Sequence, residues 1–422
     1  MFLMNNAGVM TRLLNVGLRG ATLASKFLLI FLLAKYLQPD ALGIYGLLVV
    51  TIAYSIYPLG FEFYTFSSRE LVRTDIRGRA QKLKNQVFMH GVLYVFVMPA
   101  LLLLFLFGLL PWRLAPLFFF LVILEHLNQE AMRLLIALQY QLASSVALFL
   151  RQGLWALALV GVMFFYPEYR SVEYILIGWC IGGLLGLSLS VYVLLRISTV
   201  KNNSVGRVEW DWVLNGMKIC LPLFLASLSV NFITTIDRYW FSALQGESNL
   251  GAYVFYISIT SAMITFMDAG IFSFSYPKLL ACHANSDEVG FLKSFRSMFV
   301  QVVLMSILFV SVVYFFSNWF FLLLENPVYI EHINVFYILV IMVVLQVYSY
   351  IPHYGLYAKG QDRDIVLSNI LSVPVFIFSV FILSQYSSLY AIPVALCVVY
   401  GFVFLYKTCA YFFRTQPSEV VI

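Results

Sequence analysis

The sequence predicts an all-α polytopic membrane protein of about twelve transmembrane helices in two six-helix lobes, related by a pseudo-two-fold axis along the membrane normal. Three observations carry this. Apolar residues make up 62% of the 422 and charged residues 11%, with a mean hydropathy of +0.90; soluble domains run at roughly 45–50% apolar and about 25% charged. Apolar runs of about 18 residues or more, enough to cross a bilayer core as helix, occur near 11–37, 41–67, 85–111, 114–138, 142–166, 172–196, 216–243, 250–276, 295–324, 333–357, 365–384 and 389–413. The sizeable polar connection in the middle, 197–216, leaves six runs on each side. The predicted organisation is therefore an N-terminal lobe over 1–200, a cytoplasmic linker over 201–215 and a C-terminal lobe over 216–422.

The first run sets the chemistry. Asn15, Arg19, Thr22 and Lys26 recur at four, three and four residues and so share one helix face. The two cations lie about 10 Å apart along that face, and each costs roughly 2.5–3.5 kcal/mol at mid-bilayer. They either pair with carboxylates of neighbouring helices and brace the bundle, or line a cavity for an anionic cargo; intramembrane ionisable groups favour the functional reading.

Further charges at membrane depth follow along the chain. Glu62 falls in the second run. In the fourth, His126, Gln129, Glu130 and Arg133 share a face, with Glu130 and Arg133 spaced to pair as i, i+3. Glu125 has no cation near it in sequence, and Arg151 of the fifth run has no local carboxylate. Asp237 and Arg238 are adjacent, about 100° apart on a helix, and Arg238 continues a stripe of Ser227, Asn231 and Thr234. Asp268 belongs to the eighth run. Lone carboxylates in matching helices, Glu62 and Asp268, and with them Glu125, are candidates for coupling to H+ or Na+. His126 is expected to be a hydrogen-bonded core residue.

The halves echo one another. Leu42-Gly43-Ile44-Tyr45 opens the second run and Leu250-Gly251-Ala252-Tyr253 the eighth; the four-three-four polar stripe recurs from Asn15–Lys26 to Ser227–Arg238. Two parallel repeats place a cargo site between them. Pro58, Pro99, Pro222, Pro352, Pro374 and Pro393 fall inside helices, where each removes a backbone donor and favours a kink.

The formal charge of +6 reports topology rather than nucleic-acid binding. Seventeen Lys and Arg fall in the loops of one side and the C-terminal tail, Lys407 among them, against Lys35, Arg113 and Arg170 on the other. Both termini are therefore expected in the cytoplasm. The first ten residues lack a cleavable signal pattern, so the first helix is expected to be retained. Five cysteines without a CxxC read as reduced packing residues. His90, His283, His332 and His353 form no ligand cluster, so no metal is expected; no Gly-rich phosphate loop marks an ATPase, and no cofactor is expected.

Four segments carry a family resemblance: SKFLLIFLLAKYLQPDALGIYGLL (25–48), PLGFEFYTFSSRE (58–70), LRQGLWALAL (150–159) and ITTIDRYWFSALQGESNLGAY (233–253). With the helix count and two-half layout, they resemble the Wzx-type flippases of O-antigen and other polysaccharide repeat units, within the multidrug/oligosaccharidyl-lipid/polysaccharide exporter superfamily. The resemblance implies a non-enzymatic flippase of the bacterial inner membrane that moves undecaprenyl-diphosphate-linked oligosaccharide by alternating access, working beside a polysaccharide polymerase and a chain-length regulator. It also implies a cationic cavity, for which Arg19, Lys26, Arg133, Arg151 and Arg238, with Asn15 and Asn231, are the matching residues. A multidrug antiporter of the same superfamily is the alternative, although Arg19 and Lys26 have the wrong sign for cationic drugs. A membrane polymerase or ligase is a further one, against which the short outward loops speak.

Overall fold

A computed structural model describes residues 6–74, 76–197 and 206–413. Both chain ends and residues 201–205 of the expected linker lie outside the described residues. The described chain is helical, without strands: α1 Asn6–Tyr36, α2 Pro39–Gly60, α3 Tyr64–Arg73, α4 Ile76–Leu106, α5 Ala115–Ala137, α6 Gln141–Phe149, α7 Trp155–Phe165, α8 Val172–Ile197, α9 Trp210–Met267, α10 Ser273–Ala284, α11 Glu288–Leu322, α12 Val328–Glu331, α13 Ile333–Ala358, α14 Asp362–Leu383 and α15 Ala391–Phe413.

Ten helical stretches among the described residues are long and apolar enough to cross a membrane. One of them, Trp210–Ala284, has 75 residues, where about 20 suffice for one crossing. It breaks at Gly246, whose φ of 79° no helix accommodates, and so supplies two crossings. The 23-residue α5 is as long as the others but carries Glu125, Glu130 and Arg133. With these two adjustments the described helices supply the twelve crossings that the hydropathy predicts, and the protein is a multi-pass membrane protein.

Packing divides the chain into two units, the first comprising 1–37 and 44–224, the second 38–43 and 225–422. The division falls inside α9 rather than in the 201–215 segment. That segment is no free linker where it is described: Asn85 and Glu209 exchange hydrogen bonds at 3.1 and 3.2 Å, and Lys84 Nζ donates to the Gly206 carbonyl at 2.7 Å. Trp210 then starts α9, and Trp212 packs on Phe63 and Phe66.

In the first unit α5 lies against α8, and α1 against α6 and α7. The approach of α8 to α6 and the turn that follows it depends on Gly186, where a Cβ would stand 2.9 Å from the Ala147 carbonyl oxygen and from Arg151 Cβ. In the second unit Met263, Met267, Phe272, Phe291, Met298, Val343, Val347 and Ile351 form a core shared by α9, α11, α13 and the turn after α9.

Two departures from regular helix bear on function. A π-helical turn, Leu150–Leu154, joins α6 to α7, and a second, Asp268–Phe272, joins α9 to α10; each contains one ionisable residue, Arg151 and Asp268. Such turns insert a residue into the helical ladder and re-aim side chains. The second departure follows α2. Phe61 and Glu62 both have φ of 52°, a left-handed conformation costing about 1–2 kcal/mol per non-glycine residue. Glu62 is therefore not in the second membrane helix, as its place in the apolar run implies, but in a strained turn between α2 and α3.

Candidate functional site

On α1 the stripe divides. Thr22 is buried and its hydroxyl donates to the Leu18 carbonyl at 2.8 Å, so it is satisfied within its own helix. Asn15 is half-buried, with its Oδ1 enclosed and without a hydrogen-bond partner among the described residues. Arg19 and Lys26 are exposed, and no carboxylate pairs with either among the described residues. The face of α1 that packs inward runs through Thr22, Ser25 and Leu29, so the two cations stand at the rim of that contact.

Lys26 lies within electrostatic range of a buried pair, Glu125 and Arg151. The π turn carries Arg151 toward α5, where its Nε donates to Glu125 Oε2 at 2.9 Å and a terminal guanidinium nitrogen bonds the same oxygen. Trp179 Nε1 donates to the other oxygen at 2.8 Å. The side chains are 5% and 3% exposed. Sequence left both groups without a local partner and offered Arg151 for the headgroup and Glu125 for ion coupling. The structure gives them to each other: the separation of 26 residues hides the pair, and each neutralises the charge that its role would need.

One and a half turns along α5, Glu130 Oε1 accepts from Arg133 at 2.8 Å, the i, i+3 pair that the spacing predicts. Gln86 Nε2 donates to Oε2 at 2.8 Å, and the Arg133 guanidinium lies 3.7 Å from the centre of the Tyr64 ring. Arg133 is thus held by a carboxylate and an aromatic face rather than being free for a cargo. His126 is a hydrogen-bonded core residue as expected, its Nδ1 lying 2.8 Å from Tyr94 Oη. Its ring also meets His90, with centroids 4.8 Å apart. His90, which the sequence set beside His283, His332 and His353 without a ligand cluster, is brought instead to His126 and Glu130, with donor atoms of all three within 4.8 Å of one another. Glu62 is buried and takes no ion pair among the described residues.

In the second unit Arg238 pairs with its neighbour Asp237 at 3.0 Å and donates to the Thr234 carbonyl. Tyr253, stacked on Phe241, donates to the other Asp237 oxygen at 2.9 Å. Asn231 turns back to the Ser227 carbonyl at 2.8 Å. The second stripe is therefore spent on local bonds. Asp268 is exposed and opens the π turn, within electrostatic range of Tyr350 and Tyr354. One group escaped the sequence reading altogether. Lys407, counted there with the cytoplasmic loops, is 3% exposed within α15, its Nζ 3.4 Å from His353 Nδ1; the apolar run around it was the available signal.

No family model matches the sequence, and a search of curated proteins returns no relative. Solved structures do match. An inward-facing multidrug resistance MATE family transporter of the MOP superfamily aligns with a TM-score of 0.72 at 15% identity, covering 93% of each chain. The outward-facing conformation of such a transporter gives 0.60 at 12%, covering 96% of this chain and 99% of that one. The chain has the MATE transporter fold. A MOP superfamily transporter from Pyrococcus furiosus, described as having a binding pocket of reverse polarity that suggests a different function, aligns at 0.60 and 14%, covering 96% of this chain and 93% of the other. At these identities the likeness concerns the MATE fold alone.

Proposed function

We propose that the protein is a flippase for a lipid-linked oligosaccharide carrying a diphosphate, of the undecaprenyl-diphosphate class, moving it from the cytoplasmic to the outer leaflet of the bacterial inner membrane. The observation that carries this is the state of the charges. Three membrane-depth carboxylates, Glu125, Glu130 and Asp237, are each bound to an arginine, so they offer little to a cationic cargo. Arg19 and Lys26 are exposed on α1 without carboxylate partners among the described residues. An unpaired cation at that depth favours an anion, and a diphosphate suits both a guanidinium fork and an ammonium point charge.

Alternating access is supported by a fold whose solved members are described in inward- and outward-facing forms. Ion coupling falls to Glu62, in the turn after α2, and to Asp268, neither of which pairs with an arginine among the described residues. A multidrug antiporter is the second reading, favoured by the multidrug resistance descriptions of the fold's neighbours. The Pyrococcus furiosus protein supports the view that this fold admits pockets of differing polarity.

Reconstitution separates the two. Proteoliposomes loaded on the inner leaflet with a polyprenyl-diphosphate oligosaccharide should expose the sugar to an external lectin at rates above empty vesicles. Extrusion of cationic dyes without lipid movement would instead establish the antiporter.

A further inference from the structure

Three polar side chains of the first unit converge without using up their donor and acceptor capacity. His90 is on α4, His126 at the middle of α5 and Glu130 one turn further along. The imidazoles are 7% and 0% exposed. The Nε2 atoms of both are enclosed and have no hydrogen-bond partner among the described residues. One such orphaned atom costs about 1–3 kcal/mol, and here one ring nitrogen of each histidine and a Glu130 carboxylate oxygen lie within 4.8 Å of one another.

We infer that His90, His126 and Glu130 form a binding site for one divalent transition-metal ion of the zinc type, held by two imidazole nitrogens and one carboxylate oxygen.

The surroundings match what such a site requires. A ligating histidine needs its other ring nitrogen held by a partner that fixes tautomer and orientation. Tyr94 Oη, 2.8 Å from His126 Nδ1, is placed to accept that proton and leave the Nε2 lone pair free. Gln86, donating to Glu130 Oε2 at 2.8 Å, orients the carboxylate in the same way. Imidazole with carboxylate is a donor set for zinc, nickel or copper, whereas calcium and magnesium take oxygen alone. With bonds of about 2.0–2.2 Å, tetrahedral donors stand about 3.4 Å apart, so the three donors, now within 4.8 Å of one another, have a short distance to close. Arg133 is the opposing charge among the described residues. Its guanidinium already rests on the Tyr64 ring, a cation–π contact that keeps it in place when the metal takes Glu130 from it. Metal binding thus exchanges one partner of Glu130 for another and releases Arg133 from its carboxylate.

The test uses the purified full chain in detergent, stripped with chelator and given zinc or cobalt. The protein should retain one equivalent of metal per chain after desalting, and the cobalt form should show no thiolate charge-transfer band, which separates the site from the five free cysteines. His90→Asn and His126→Asn should each weaken zinc binding at least 100-fold, and Tyr94→Phe 10- to 100-fold. X-ray absorption on the unmodified protein should give a nitrogen and oxygen shell with imidazole scattering. Absence of stoichiometric metal, sulfur in the shell, or full retention by His126→Asn would each overturn the assignment. Should the histidine variants not fold, Glu130→Gln and the X-ray absorption of the unmodified chain decide it by the same criteria.

Discussion

Arg151 and Glu125 meet across 26 residues of sequence inside the first unit, the guanidinium Nε 2.9 Å from Glu125 Oε2 and both side chains closed off from solvent. Removing one partner of such a pair strands the other charge, at a cost of about 3–5 kcal/mol. Arg151→Met should therefore lower the thermal midpoint in detergent sharply, while Arg151→Met combined with Glu125→Gln should recover most of the loss. A thermal-shift double-mutant cycle measures this; a double-variant loss equal to the sum of the two single losses would show that the pair is not coupled.

Gly251 lies where α9 resumes after its break, and a Cβ there would stand 1.9 Å from the Pro39 carbonyl oxygen, with Pro39 in the same compact unit. Backbone cannot yield as a side chain can, so Gly251→Ala should cut the yield of monodisperse protein severely. Gly401→Ala, with open space around the new methyl, should be tolerated. Comparable yields for the two would contradict the packing described for the start of α2.

Glu62 combines strain with burial, at φ 52° and 7% exposure. Glu62→Gly should stabilise by about 1 kcal/mol, since glycine adopts that conformation without penalty, yet it should abolish ion-driven transport. Glu62→Gln should leave stability nearly unchanged and also abolish coupling. Measuring melting and ion-driven uptake side by side separates strain from charge.

Lys407 is the most enclosed lysine without a carboxylate partner among the described residues, with His353 close by. Burying an uncompensated charge is costly, so Lys407→Met should raise stability by about 1–3 kcal/mol in thermal melts. A fall in stability would mean that the ammonium is solvated or paired in the membrane.

The twelve crossings were legible because apolar length alone decides what can span a bilayer, and the Glu130–Arg133 pair because i, i+3 spacing is a local rule. Glu125–Arg151 was not, since partner choice between helices depends on a π turn that leaves no mark in hydropathy. His90 and His126 likewise become neighbours only when α4 lies against α5. Lys407 was misplaced because a cation near the end of an apolar run reads the same whether it emerges into the cytoplasm or turns inward. Glu62 went to a helix because the apolar pattern runs on through a turn that the backbone makes in a left-handed conformation.

The most direct test is binding of a polyprenyl diphosphate to the purified protein, followed by native mass spectrometry, for the unmodified chain and for Arg19→Glu with Lys26→Glu. Loss of one charge-assisted hydrogen bond is worth about 1.5–3 kcal/mol. The doubly reversed variant should therefore bind at least 100-fold more weakly while its melting temperature stays within a few degrees. Undiminished binding by a well-folded variant would contradict the account, because it would leave the α1 cations with no part in recognising the headgroup.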